Sequence, residues 1–91
     1  MHSLIIGGGK IGYYLTKVLI EKGYDVSVVE KEKDACQKFA NDLNITVIKG
    51  DGTSVSVLEQ AGVADADSVI AVTGRDEDNL VACQLAKRLY Q

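Results

Sequence analysis

Leu4-Ile5-Ile6-Gly7-Gly8-Gly9-Lys10-Ile11-Gly12 is the stretch that decides how the rest of the chain is read. A compact apolar run ends at glycine, and the segment from Lys10 to Lys22 then carries Ile11, Leu15, Val18 and Leu19 on one helical face. The stretch matches G-x-G-x-x-G in the context that gives the pattern meaning, with a strand before it and an amphipathic helix after it. Gly7 permits a tight exit from the strand, where a side chain would force strained angles. Gly9 lets the backbone approach a pyrophosphate, and Gly12 lets the helix pack closely on the sheet. The start of that helix then presents free N–H groups and a partial positive charge to phosphates. A turn that only packs helix against strand is the plainer alternative.

Outward from this turn, Gly23 stops the first helix, and Val26, Val28 and Val29 form a second strand that ends at Glu30. Glu30 lies 18 residues beyond Gly12, near the usual interval of about 20. Its carboxylate is expected to accept hydrogen bonds from the hydroxyls of an adenosine ribose. Its charge would repel a 2′-phosphate, which favours NAD or another nucleotide with an unmodified ribose over NADP. Lys10 either approaches a phosphate or is a solvated lysine, and Lys31 either lies along the adenosine or faces water.

The alternation continues. Cys36, Phe39, Ala40 and Leu43 fall at helical spacing, and Ile45, Val47 and Ile48 give a third strand. Val57, Leu58 and Ala61 mark a short helix ended by Gly62. Val69 to Val72 form a fourth strand, and Asp76 reads as the N-cap of a last helix with Leu80, Val81, Cys83, Leu85 and Leu89. Strands of nearly continuous Val and Ile joined by helices imply an α/β fold, a Rossmann-like parallel sheet covered on both faces. Right-handed crossovers with one reversal predict strand order 3-2-1-4, the first two helices on one face and the last two on the other.

Two later loops open at the same edge as the glycine turn. In Gly50-Asp51-Gly52-Thr53, Asp51 is placed to bond an adenine amino group and Thr53 to cap the third helix, or both merely cap. In Thr73-Gly74-Arg75-Asp76, Thr73 and Gly74 face the phosphates or a second ribose, while Asp76 reads as a cap.

Bulk properties narrow the function classes. The 91 residues make about one domain, with 46% hydrophobic and 25% charged residues, an ordinary globular balance. Net charge is −3 with no basic stripe, which argues against nucleic acid as a partner. Cys36 and Cys83 lie far apart and outside any Cys/His cluster. They read as small buried hydrophobes of a reduced protein, with no metal or disulfide expected. No apolar run reaches the roughly 20 residues of a bilayer span and no signal peptide is visible, so the chain is expected to be soluble, cytoplasmic and not itself inserted in a membrane.

The combination of Ile5 to Gly12, Val28-Val29-Glu30, Gly50-Asp51-Gly52-Thr53 with Leu58 and Ala61-Gly62, Ala66-Asp67, Ala71-Val72-Thr73 and Asp76-Glu77-Asp78-Asn79 resembles one family. It is the TrkA-N, or RCK/KTN, regulatory domain of potassium channels and transporters. The later loop and the T-x-x-D-E-x-N segment carry the resemblance, which runs over essentially the whole chain. It implies a nucleotide-sensing module that binds NAD(H) or ATP/ADP, works with a potassium transporter or channel membrane subunit, and assembles as a homo-oligomer. By position it implies that Gly7, Gly9 and Gly12, with Lys10 and Ile11 between them, cradle the phosphates. Glu30 and Lys31 would then lie at the adenosine, Asp51, Gly52 and Thr53 by the adenine, and Thr73 with Gly74 at the distal part of the ligand.

Two departures stand out. Such domains continue through two more strands, so residues 1–91 are expected to be a single domain incomplete at its C-terminus. Gly74 and Arg75 fall where the family varies. An unpaired edge on the fourth strand and the broadly apolar last helix are expected to be covered in a homo-oligomer or by further chain. The other function considered is the cofactor-binding half of an NAD-dependent dehydrogenase, which needs an acid–base group, and the one histidine, His2, lies at the terminus. An assembly domain with a purely structural glycine turn is the third.

Overall fold

Four short strands form one parallel sheet: β1 (His2–Ile6), β2 (Asp25–Glu30), β3 (Thr46–Lys49) and β4 (Ser68–Ala71). Four helices alternate with them: α1 (Lys10–Glu21), α2 (Lys33–Asp42), α3 (Val55–Gln60) and α4 (Asp76–Leu89), with a 3-10 turn at Val63–Asp65. The structure, a computed structural model, describes residues 1–90; Gln91, the end of the expected domain, lies outside them. Strand order is β3-β2-β1-β4, as the crossover rules predict.

Alternation along the strands explains the two layers. From β1, Leu4 and Ile6 point to one face, where they meet Val29, Leu58, Val63, Ala82 and Ala86 from β2, α3, the 3-10 turn and α4. Ile5 points to the other face and packs with Val26, Val28 and Phe39, against which α1 lays Leu15 and Leu19. Leu4, Ile5 and Ile6 are 0–1% exposed, and burying each contributes about 1.5–3 kcal/mol. β1 is therefore the spine of both cores.

The helices differ from the sequence reading in which residues they bury. On α1 the fully buried positions are Gly12 and Thr16, while Ile11 is 70% exposed. The small residues face inward because α1 approaches the turn after β1 too closely for a larger side chain. Thr16 satisfies its hydroxyl by donating to the Gly12 carbonyl (2.8 Å). On α4 the buried positions are Ala82 and Ala86, with Leu85 and Leu89 half-buried and Leu80, Val81 and Cys83 exposed. Cys83 is thus not the buried hydrophobe expected, and Cys36 is only half-buried. Among the described residues, no helix is long and apolar enough to cross a membrane, and no cluster of His, Cys, Asp or Glu is arranged to hold a metal.

Candidate functional site

Parallel strands end together, so the loops that leave their carboxyl ends meet. Backbone bonds tie those ends across the sheet: Gly7 N–H to Val29 O (2.8 Å), Val72 N–H to Ile6 O (2.8 Å) and Gly50 N–H to Glu30 O (2.9 Å). Above this edge lies an open cleft of about 590 Å³, large enough for a nucleotide. Of the residues singled out in the sequence, Gly7, Gly9, Lys10 and Ile11 line it on the β1 side, Glu30 and Lys31 on the β2 side, Asp51 and Gly52 on the β3 side, and Thr73 and Gly74 on the β4 side. Gly12 and Thr53 are not among the residues that line it.

The glycines of the turn do different work. Gly7 has φ +110°, and a Cβ there would stand 2.8 Å from the backbone of Val72 and Thr73. At Gly12 a Cβ would lie 2.1 Å from the Gly7 carbonyl oxygen. Both positions are demanded by packing, Gly12 by the seating of α1 on the turn. Gly9 is unlike them: among the described residues, nothing beyond its own chain neighbours lies within 4 Å of a Cβ built there. Its backbone borders open cleft, so the fold itself does not require a glycine at this point. Gly9 also caps α1 with no side-chain hydrogen bond, and the first turn of α1 holds no acidic residue. The N–H groups at the start of α1, which have no partner within the helix, thus border the cleft with no side-chain cap and no acidic residue in their own turn.

Glu30 reaches across to this turn. Gly8 N–H donates to Glu30 Oε1 (2.6 Å), and Glu32 N–H donates to Oε2. The carboxylate is held at the cleft wall by backbone donors on both sides. Behind it the Cys36 thiol donates to the Glu30 carbonyl (3.2 Å). Burial, then the Glu30 charge, pushes that thiol's pKa up, which keeps Cys36 a thiol of structural character.

The β3 loop is organised by Asp51. Its Oδ1 accepts from the Thr53 N–H (2.8 Å) and the Thr53 hydroxyl (2.7 Å), and these two bonds hold the Asp51 pKa below its usual value, with Lys31 adding a smaller effect. The cap of α3 is Ser54, with no side-chain bond. Thr53 is therefore not the helix cap expected, because its hydroxyl is spent on the local turn. Gly52 sits against Ile6, whose Cγ2 would be 2.3 Å from a Cβ.

The β4 loop is held from α4. Asn79 Oδ1 accepts from the Thr73 N–H (2.8 Å) and hydroxyl (2.6 Å), and Asn79 Nδ2 donates to the Thr73 carbonyl (3.2 Å). The N-cap of α4 is Arg75 and not Asp76 as expected; no side chain caps it, and Asp76, Glu77 and Asp78 occupy the first turn. There they favour the helix through its dipole, without a capping bond.

The chain has relatives in sequence and in fold. Residues 3–91 match the TrkA-N domain. The chain belongs to the TrkA-N family. It is 41% identical over 87 residues to the Trk system potassium uptake protein TrkA homolog of Methanothermobacter thermautotrophicus, an alignment covering 96% of this chain and 40% of that protein. The chain thus spans well under half the length of that curated relative. Solved structures share the fold, among them the following two. The NAD(P)-binding domain of an exopolyphosphatase-related protein from Archaeoglobus fulgidus superposes with a TM-score of 0.83 at 21% identity, over 96% of this chain and 65% of that one. The AMP-bound form of the Shewanella denitrificans Kef CTD gives 0.81 at 22% identity, over 97% and 52%.

For this TrkA-N chain, the sequence reading missed three residues of the cleft region. Gly8 has no role in the sequence pattern, yet its N–H donates to Glu30, and a Cβ on it would sit 2.6 Å from Phe39. Three glycines in a row were the only signal. Asn79 was noticed as part of the family pattern, but its hold on Thr73 depends on how α4 turns back over β4. Arg75 lines the cleft, and nothing in its spacing marks it.

Proposed function

We propose that this chain is a non-catalytic nucleotide-sensing domain that binds NAD(H) or an adenine nucleotide such as ATP/ADP and regulates potassium transport through a membrane subunit. The observation that carries the reading is the pairing, across one cleft, of an uncapped α1 N-terminus beside the sterically free Gly9 with the carboxylate of Glu30. The first is a phosphate site built from backbone; the second is a ribose acceptor. In this reading Gly7, Gly9, Lys10 and Ile11 surround the phosphates, with Gly12 shaping the turn. Glu30 and Lys31 flank the adenosine, Asp51, Gly52 and Thr53 form the adenine end, and Thr73 with Gly74 the distal end. Family membership supports the transport role, because the relative is named a potassium uptake protein. A non-catalytic role is supported by His2, the chain's one histidine, which sits at the start of β1 beside Ser27 (2.9 Å), at the opposite edge of the sheet from the cleft. The working place is the cytoplasmic side of the membrane, beside the transporter.

Calorimetric titration with NAD, NADH, ATP and ADP tests the ligand reading. Binding tighter than millimolar is expected, with Glu30→Ala weakening it by about tenfold or more, since a hydrogen bond to a charged group is worth about 1.5–3 kcal/mol. Absence of binding by all four removes the basis of the proposal. Self-association belongs to the same reading, supported by Leu80 (64%), Val81 (44%) and Tyr90 (61%) exposed on and just after α4. Light scattering at high micromolar concentration is expected to show an oligomer; a strict monomer rejects this part alone.

A further inference from the structure

Strand order lays the cleft out in a line. The loops after β3, β2, β1 and β4 present Asp51, Glu30, the glycine turn and Thr73–Arg75 in that sequence. With neighbouring strands about 4.8 Å apart, the line from the first loop to the last is about 14 Å. A nucleotide with its ribose at Glu30 and its phosphates over the start of α1 therefore extends its tail toward the β4 loop.

The chemistry at that end is specific. Every polar group of Thr73 that could greet a ligand is engaged with Asn79, and Gly74 has no side chain. That leaves Arg75 as the cation facing the cleft from this loop. Its Nε is on Glu77 Oε1 (3.0 Å) and near Asp78 Oδ2 (3.6 Å), and the Arg75 and Glu77 side chains are 64% and 67% exposed. An ion pair so exposed is weak and readily exchanged. Glu77 and Asp78 lie in the first turn of α4, where the helix dipole supports their charges without the arginine. A phosphate, in contrast, offers a guanidinium two-pronged, charge-assisted bonds.

Resting on the nucleotide-binding reading, we propose that Arg75 is the specificity-determining residue for the terminal phosphate of a nucleoside polyphosphate. It leaves Glu77 and Asp78 for the ligand's tail when such a ligand occupies the cleft. The site then ranks ligands by the phosphates beyond the first: ATP above ADP above AMP, with NAD gaining nothing from Arg75.

The test is calorimetric titration of the whole chain and of Arg75→Gln and Arg75→Lys with AMP, ADP, ATP and NAD. Arg75→Gln is expected to weaken ATP about tenfold or more while changing AMP and NAD by less than about twofold, and Arg75→Lys to keep part of the ATP preference. The thermal midpoint of the ligand-free variants should stay at the wild-type value, because the side chain is exposed. The proposal is overturned if Arg75→Gln leaves ATP unchanged, weakens AMP and ATP equally, or selectively weakens NAD. If wild type binds none of the four, the nucleotide reading itself fails, and that result is distinct from the loss of phosphate ranking alone.

Discussion

The turn after β1 and the loop after β4 border the same cleft but are built on opposite principles. Between Gly7 and Gly12 the backbone does the work. At Gly7 and Gly12 backbone atoms stand where a Cβ would be, at Gly8 the Phe39 and Glu30 side chains do, and at Gly9 the backbone borders open cleft. Between Thr73 and Asn79 side chains do the work, with one asparagine from α4 satisfying three groups of one threonine. A backbone site tolerates almost no substitution but leaves a short pattern in the sequence. A side-chain site is scattered over two elements and leaves little pattern.

Substitutions within the two regions sharpen this contrast. The largest effect is expected from Gly12→Ala, whose Cβ would collide with the Gly7 carbonyl oxygen at 2.1 Å. Relief requires lifting α1 off the sheet, a loss of about 3 kcal/mol or more, at the upper end of overpacking costs. Gly9→Ala is its counterpart in the same turn. With nothing within 4 Å, it should leave the urea midpoint of the ligand-free chain in place while weakening nucleotide binding about tenfold or more, by intruding on the phosphates. Equal loss of stability in both variants would show that the whole turn is structural, and would break the distinction between its glycines.

A smaller effect is expected at the β4 loop. Asn79→Ala leaves the Thr73 N–H and carbonyl without their partner in a half-buried setting, at a cost of about 1–2 kcal/mol. Urea unfolding reads this directly. A change below about 0.3 kcal/mol, within the usual range of a neutral surface substitution, would mean that water replaces Asn79 freely and that the β4 loop is not held from α4.

Legibility followed the same division. The strands and helices could be read because β1 and β2 are near-continuous apolar runs and the glycines at 23 and 62 stop their helices at positive φ. That Gly7, Gly9 and Glu30 border one cleft could be read because their placement depends on intervals along the chain. The inward face of α1 could be read in part: Gly12 lies against the sheet and Leu15 and Leu19 pack on the core as expected, but Ile11 is exposed and Thr16 is buried. Periodicity selects the most hydrophobic stripe and so includes Ile11, whereas the sheet admits the smallest side chains, Gly12 and Thr16. The caps at Thr53 and Asp76 were misread for a related reason. Local residue preference names a candidate, but the hydroxyl of Thr53 finds a nearer partner in Asp51, and α4 begins one residue beyond its uncapped Arg75.

The amino-acid sequence by itself determined the four strand–helix units, their order in the sheet, and the glycine turn with its acid, because each rests on spacing along one chain or on the handedness of crossovers. Tertiary structure decided which glycines serve packing and which one only borders the cleft. It also decided that Glu30 is fastened to Gly8, that Asn79 holds Thr73, and that Arg75 stands at the far end of the cleft. These are distances between residues far apart in sequence, or between elements whose relative rotation is set by the fit of side chains in the two cores.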